Sequence, residues 1–192
     1  MLKTSNPKGD SSFKLSALMD LKLPTKTPKR IIIIGDAGRG KTTFARRLSS
    51  MLGIETHSTD DFYWKTKFIE KQDPKISHKA IEDIYQNSSW IVEGATANLI
   101  MGGLEKSDII FLLEFNTIFA QWWNILKRHL GRVEERPKDL FILLRHVLYK
   151  RYGIGYERGK PTIRQLIHPY STKVVTINSY RDIDHYLKLF EK

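Results

Sequence analysis

The sequence predicts an α/β fold, a doubly wound three-layer sandwich with a parallel sheet as its middle layer. Three observations predict it. From Arg30 onward, short apolar runs alternate with segments of helical periodicity, the pattern of parallel strands joined by crossover helices. The first run, "IIII" at 31–34, gives way to a small polar loop, "GDAGRGK", and then to a helical segment, which is the opening half of such a crossover. The chain has 192 residues, 41% of them hydrophobic, enough for one well-buried domain and short for two.

Taken in order, the apolar runs place strands at Ile31–Ile34, Ile54–Ser58, Trp90–Glu93 ("WIVE"), Ile109–Glu114 ("IIFLLE") and Val174–Ile177 ("VVTI"). Each is short and rich in β-branched or aromatic residues, as buried strands are. Helical spacing of apolar residues appears over Thr42–Leu52, His78–Tyr85, Thr117–Leu130, Lys138–Tyr152 and Tyr180–Phe190. No internal repeat or low-complexity tract interrupts them.

Residues 1–29 form a basic N-terminal extension and 30–192 the folded domain. Residues 1–30 hold seven Lys/Arg against two Asp, a composition that favours a flexible or loosely docked tail. Phe13, Leu15, Leu18, Met19 and Leu21 space as a short amphipathic helix expected to pack on the domain. The whole chain carries a net charge of +11, so anionic partners are expected: nucleotides, nucleic acid through general charge, or acidic surfaces. The absence of cysteine excludes disulfides, thiolate metal sites and thiol catalysis. No apolar run has the length of a membrane span or a signal-peptide core, and the expectation is an unprocessed cytoplasmic protein without membrane attachment.

The loop after the first run matches GxxxxGK[ST] through Gly35, Gly40, Lys41 and Thr42, between a strand and a helix as the motif requires. Gly35, Gly38 and Gly40 let successive backbone N–H groups converge on phosphate oxygens at a helix N-terminus. Asp36, Ala37, Arg39 and Thr43 complete the cradle, and Arg39 reads either as a loop contact or as a solvated side chain. Lys41 supplies a point charge to the outer phosphates, and the Thr42 hydroxyl belongs in a Mg²⁺ shell. ATP with Mg²⁺ is the expected ligand.

Ligands of parallel sheets bind beyond the carboxyl ends of the strands, which brings "HSTDDFYWK" at 57–65 beside the loop. Asp60 is the candidate to orient an acceptor hydroxyl and take its proton, with Asp61 the lesser candidate. Phe62, Tyr63 and Trp64 serve either an acceptor wall or the core. Glu93, in "WIVEG" at 90–94, is the Walker-B-type metal residue, preferred over Glu114 because its strand should lie next to the first and that of Glu114 on the other side of it. Residues 121–160 hold ten Lys/Arg against four Asp/Glu. Arg128 and Arg132, four apart on one helix face, and Arg136 are candidates to stabilise the travelling phosphoryl group. "RYGIGYERGKP" at 151–161 suits a lid.

With "GDAGRGKTT", "DDFYW", "WIVEG", "SDIIFLLEF" and "LKRHLGR" in place, the chain resembles the small P-loop kinase-like ATPases related to adenylate kinase, in particular the group of DNA topology modulation proteins. The resemblance covers residues 31 to about 132, with a looser match through "VVTINSYRDIDHYL". It implies a P-loop NTPase sandwich of strand order 2-3-1-4-5, Mg-ATP at the loop, and a helical basic lid at about 131–160 whose arginines close over the phosphates. It also implies that "INSYRD" lies near the adenine edge. Glu93 stands where that group has aspartate, and Ala95 and Thr96 where it has Asn-Tyr. "STDDFYWK" and "VEG" also resemble the uridine and nicotinamide riboside kinases, which assign Asp60 and Glu93 the same roles. The acceptor stays open: a nucleoside, nucleotide or related small molecule, or, in an alternative reading, no metabolic acceptor but ATP-dependent regulation of nucleic acid.

Overall fold

The computed structural model describes residues 26–66, 70–114 and 162–191, with single positions at 126, 141, 144, 145, 148 and 149. Apart from those single positions, the helices expected over Thr117–Leu130 and Lys138–Tyr152 and the lid lie outside the described residues, as does the extension up to residue 25. Along the chain run β1 (Arg30–Gly35), α1 (Lys41–Leu52), β2 (Thr56–Ser58), α2 (Thr59–Tyr63), β3 (Trp64–Thr66), β4 (Glu70–Lys71) and α3 (Pro74–Tyr85). There follow β5 (Trp90–Gly94), α4 (Ala97–Leu104), β6 (Ile109–Leu113), α5 (Ile163–Ile167), a 3-10 turn (His168–Tyr170), β7 (Val174–Ile177) and α6 (Tyr180–Phe190).

The five-stranded sheet has the order β2-β5-β1-β6-β7, and all its pairings are parallel. β3 and β4 form a separate antiparallel ribbon that the sequence reading did not anticipate. Counting them turns the expected 2-3-1-4-5 into 2-5-1-6-7; among the five sheet strands alone the order is 2-3-1-4-5. Ile34 pairs with Gly94, Gly35 with Leu113 and Ser58 with Glu93, so β1, β2, β5 and β6 finish level along one edge.

Strand alternation sorts the core into two layers. Ile31 and Ile33 of β1, with Phe111 and Leu113 of β6, pack under Phe44 and Leu48 of α1 and Ile183 and Leu187 of α6. Ile32 and Ile34, with Ile110 and Leu112, pack on the opposite face against α3, α4 and Ile167 of α5. Each of the four isoleucines of β1 is at most 1% exposed, and each such burial contributes about 2 kcal/mol. An uninterrupted apolar run is what a central strand covered on both faces requires.

α4 was not expected, because "ANLIMGGL" carries two glycines that weaken a helix. The packing explains them. A Cβ at Gly103 would enter the ring of Tyr85, whose hydroxyl donates to the Leu99 carbonyl at 2.9 Å, so the missing side chain lets α3 and α4 close together. α5 was missed although "TIRQ" is a capping box, with Thr162 and Gln165 bonding reciprocally.

One carboxylate fixes where β1 begins. Asp108 Oδ2 accepts from the backbone N–H groups of Lys29 and Arg30, both at 2.9 Å, and Oδ1 accepts from the Arg30 guanidinium at 2.7 and 3.1 Å. Partial burial opposes ionisation here, but these hydrogen bonds and the Arg30 charge outweigh it and hold the Asp108 pKa below its ordinary 3.8. A depressed pKa stabilises the fold above the ordinary carboxylate range and loses that contribution as pH falls through it. Asp108→Asn is therefore expected to cost about 1 kcal/mol at pH 7, a figure reduced for the partial exposure of the pair. In urea denaturation the gap from the parent chain should narrow as pH falls through the ordinary carboxylate pKa of 3.8 and go on narrowing below it; a gap that does not narrow as pH falls below 3.8 would refute the assignment.

Candidate phosphate-loop site

The loop between β1 and α1 is shaped by two close approaches. A Cβ at Gly35 would stand 2.6 Å from the Leu113 carbonyl oxygen, so only glycine lets β1 leave the sheet this tightly against β6. Gly40, the N-cap of α1, has φ 80°, the left-handed conformation that glycine adopts without strain. The first helical bond runs from Phe44 N–H to the Gly40 carbonyl at 2.9 Å. The N–H groups of Lys41, Thr42 and Thr43 belong to the first turn, which the helix itself does not use. Lys41 folds back over the loop and donates from Nζ to the Asp36 carbonyl at 3.1 Å.

Arg39 is not solvated. It is 5% exposed, with Nη1 donating to the Leu113 carbonyl at 3.4 Å and Nη2 to Asp36 Oδ2 at 3.3 Å. The guanidinium spans from the start of the loop to the end of β6. Sequence reasoning left this open because the partner carbonyl is 74 residues away.

Thr42 and Glu93 meet: the Thr42 hydroxyl donates to Glu93 Oε1 at 2.8 Å. Glu93 is 4% exposed and sits on β5, the strand beside β1, in register with Ile33. Glu114, its rival, is engaged elsewhere. Arg164 Nε donates to both Glu114 oxygens at 2.8 and 3.0 Å, and Nη2 also reaches Oε2. Of the two acids, Glu93 is the one that touches the loop. Hydroxyl and carboxylate oxygens are the hard donors that Mg²⁺ takes, usually one or two from the protein with phosphates and waters completing the shell. The Thr42 hydroxyl and the Glu93 carboxylate, 2.8 Å apart, are two such donors, and a set of this size fits an ion shared with a bound phosphate chain.

Asp60 stands in the first turn of α2, two residues beyond Ser58, the register partner of Glu93. It is half-buried, and Asp61 is exposed. The helix is five residues long, too short to show a period in the sequence. Phe62 and Tyr63 are half-buried and pack against the core layer of α3 and α4, and Trp64 meets the Tyr63 ring edge-on at 4.9 Å. Thr59, not singled out in the sequence, is fully buried, and its Oγ1 has no hydrogen-bond partner. It rests on Gly94: any Cβ there would overlap the Thr59 side chain.

Tyr180 completes the described surroundings. A Cβ at Gly40 would lie 3.3 Å from its ring, so "INSYRD" does reach the loop, with Ser179 and Asp182 forming a capping box at the start of α6. That box is the signal that fixes the position of Tyr180. Arg128, Arg132 and Arg136 lie outside the described residues. A separate cleft of about 230 Å³, between Leu112, Val174 and Thr176 of the sheet and Arg164, Ile167 and His168, opens on the sheet face opposite α1.

The order of the parallel sheet, the helices on both faces and the glycine loop at its carboxyl edge define a three-layer α/β fold with a phosphate-loop motif. Among solved structures, the chain shares this fold with the shikimate kinase from Acinetobacter baumannii in complex with shikimate (TM-score 0.53, 20% identity, 85% of this chain and 93% of that one). It shares it also with the shikimate kinase from Bacteroides thetaiotaomicron (TM-score 0.50, 12% identity, 84% and 96%). In sequence it is 37% identical over 127 residues to the uncharacterized protein YqaC of Bacillus subtilis (strain 168), a match covering 65% of this chain. This chain spans 60% of the length of that relative. No protein-family model matches.

Proposed function

We propose that the protein is a Mg-ATP-dependent phosphotransferase of the adenylate-kinase-like P-loop group, acting on a small nucleoside, nucleotide or related acceptor. The observation that carries this reading is the 2.8 Å hydrogen bond from Thr42 to Glu93. It joins the last residue of a phosphate-binding motif to an acid at the edge of the neighbouring strand, on the side where Asp60 stands. A binding module without chemistry needs the loop; it does not need the acid and the aspartate beside it.

In this reading the loop amides and Lys41 hold the β- and γ-phosphates, and Gly35 to Thr43 wrap the chain. Thr42 and Glu93 hold Mg²⁺, which supplies neutralisation of phosphate charge when bound. Arg39 sets the shape of the loop from beneath. Asp60 orients the acceptor hydroxyl and accepts its proton, while Arg128, Arg132 and Arg136 are assigned to the charge that spreads over the transferring oxygens. No covalent intermediate is required; catalysis is positioning plus electrostatics.

Asp60→Asn tests the division of labour. Transfer of label from γ-labelled ATP is expected to fall by about 10²- to 10⁴-fold, the usual contribution of a positioned base, while ATP affinity in calorimetry stays within about twofold, well under one decade of binding free energy. Equal transfer by the variant would remove Asp60 from the reaction. Loss of ATP binding would make it a structural residue.

A further inference from the structure

Resting on the Mg-ATP reading above, we infer that Ser58 is a positioning residue for Mg²⁺, acting on the ion through Glu93 and the waters of its shell. Ser58 is the N-cap of α2, with extended backbone at φ −96° and ψ 131°, yet its side chain makes no capping hydrogen bond. Serine is favoured at such a position because its oxygen accepts from a first-turn N–H. Here the hydroxyl is not spent on the helix.

The register shows which way it faces. Residues paired across parallel strands carry their side chains on the same face of the sheet, and successive residues alternate. Ser58 pairs with Glu93, and Glu93 with Ile33, which belongs to the core layer under α1. The neighbours of Ser58 take the other face: His57 pairs with Val92 of the opposite layer, and Thr59 fills the space into which a Gly94 Cβ would project. α1 packs on both β5 and β2, and its second residue, Thr42, bonds Glu93 at 2.8 Å. Half-buried Ser58 therefore stands on the face that carries the phosphate loop, one strand outward from Glu93.

That distance decides how it acts. Mg²⁺ takes one or two protein oxygens and keeps several waters, and Thr42 and Glu93 already supply two. Neighbouring strands stand about 4.8 Å apart, more than twice the roughly 2.1 Å of a bond from Mg²⁺ to oxygen. A hydroxyl on the next strand thus meets the carboxylate and the waters before it meets the ion. It suits both, since it donates to a carboxylate and accepts from water. Partners of this kind fix the orientation of metal ligands, and their loss lowers metal affinity by about 10- to 100-fold.

The experiment reads the metal directly. Binding of Mn²⁺, the paramagnetic substitute for Mg²⁺, to the full chain saturated with ADP is followed by electron paramagnetic resonance, with metal-free ADP affinity and the urea midpoint measured beside it. Ser58→Ala is expected to weaken Mn²⁺ binding by about 10- to 100-fold, while metal-free ADP affinity stays within about twofold. The urea midpoint should not move, because no cap is lost. Ser58→Thr keeps the hydroxyl on a backbone that suits a β-branched residue and should bind Mn²⁺ within about threefold of the parent chain. Unchanged Mn²⁺ affinity in Ser58→Ala, or an equal loss in Ser58→Thr, overturns the inference and leaves the nucleotide reading standing. So does a loss of metal-free ADP affinity or of stability that accounts for the loss of Mn²⁺, which would make Ser58 structural. A parent chain that binds no ADP, or binds ADP without Mn²⁺, overturns the Mg-ATP reading together with the inference.

Discussion

Replacing Lys41 by alanine is expected to lower nucleotide turnover by at least about 10³-fold, the scale on which a fixed charge aimed at a developing oxyanion contributes. The fold should barely respond. The side chain donates to the Asp36 carbonyl at 3.1 Å, and a bond of that kind is worth about 1 kcal/mol net. Alanine at the first position of α1 returns part of that through helix propensity. Urea denaturation and turnover should therefore separate cleanly. Lys41→Arg is the informative companion, because a guanidinium keeps the charge but spreads it over a planar fork; it should recover nucleotide affinity more than turnover. Undiminished activity in Lys41→Ala would dismiss the phosphate-loop assignment.

Gly94→Ala carries the second large effect, and through a different route. The added methyl has nowhere to go, since Thr59 already occupies the space over the Gly94 Cα, with its Cβ 2.8 Å and its Cγ2 2.9 Å from the new atom. Both residues are buried, and overpacking of this kind costs about 1–3 kcal/mol. Relief requires Thr59 to move, and Asp60 follows it in the same helical turn. A displacement on the order of 1 Å at a positioning group lowers turnover by about 10²-fold. The expected result is a less stable chain with nearly normal ATP affinity and poor transfer. Thr59→Ala in the Gly94→Ala background removes Oγ1 and Cγ2 and should recover part of both losses, a coupling visible in a double-mutant cycle. Strictly additive losses would show that the two residues do not share the space as described.

The sequence revealed most where structure is local. Four isoleucines, a glycine loop and a Lys-Thr pair stand within 12 residues, and the structure returns them as one strand, one turn and one helix start. Glu93 required a further step, since choosing it over Glu114 depended on which side of β1 each strand lies, a long-range fact inferred from the expected strand order. The site details that escaped notice are those with no local signal. Arg39 looks like an ordinary loop cation until its carbonyl partner on β6 is known, and Thr59 is one more polar residue until Gly94 arrives beneath it from β5. The β3–β4 ribbon escaped because its strands are three and two residues long, below the length at which alternation is visible. α4 escaped because its glycines argue against a helix in isolation and for one only beside Tyr85.

The bond between Glu114 and Arg164 has a topological meaning. β6 ends at Leu113 and α5 begins at Ile163, and the carboxylate just past the first holds the guanidinium one residue into the second. Leu113 is also the residue that Gly35 pairs with and whose carbonyl Arg39 reaches. One strand end thus serves two clients: it braces the phosphate loop on one side and moors the start of α5 on the other.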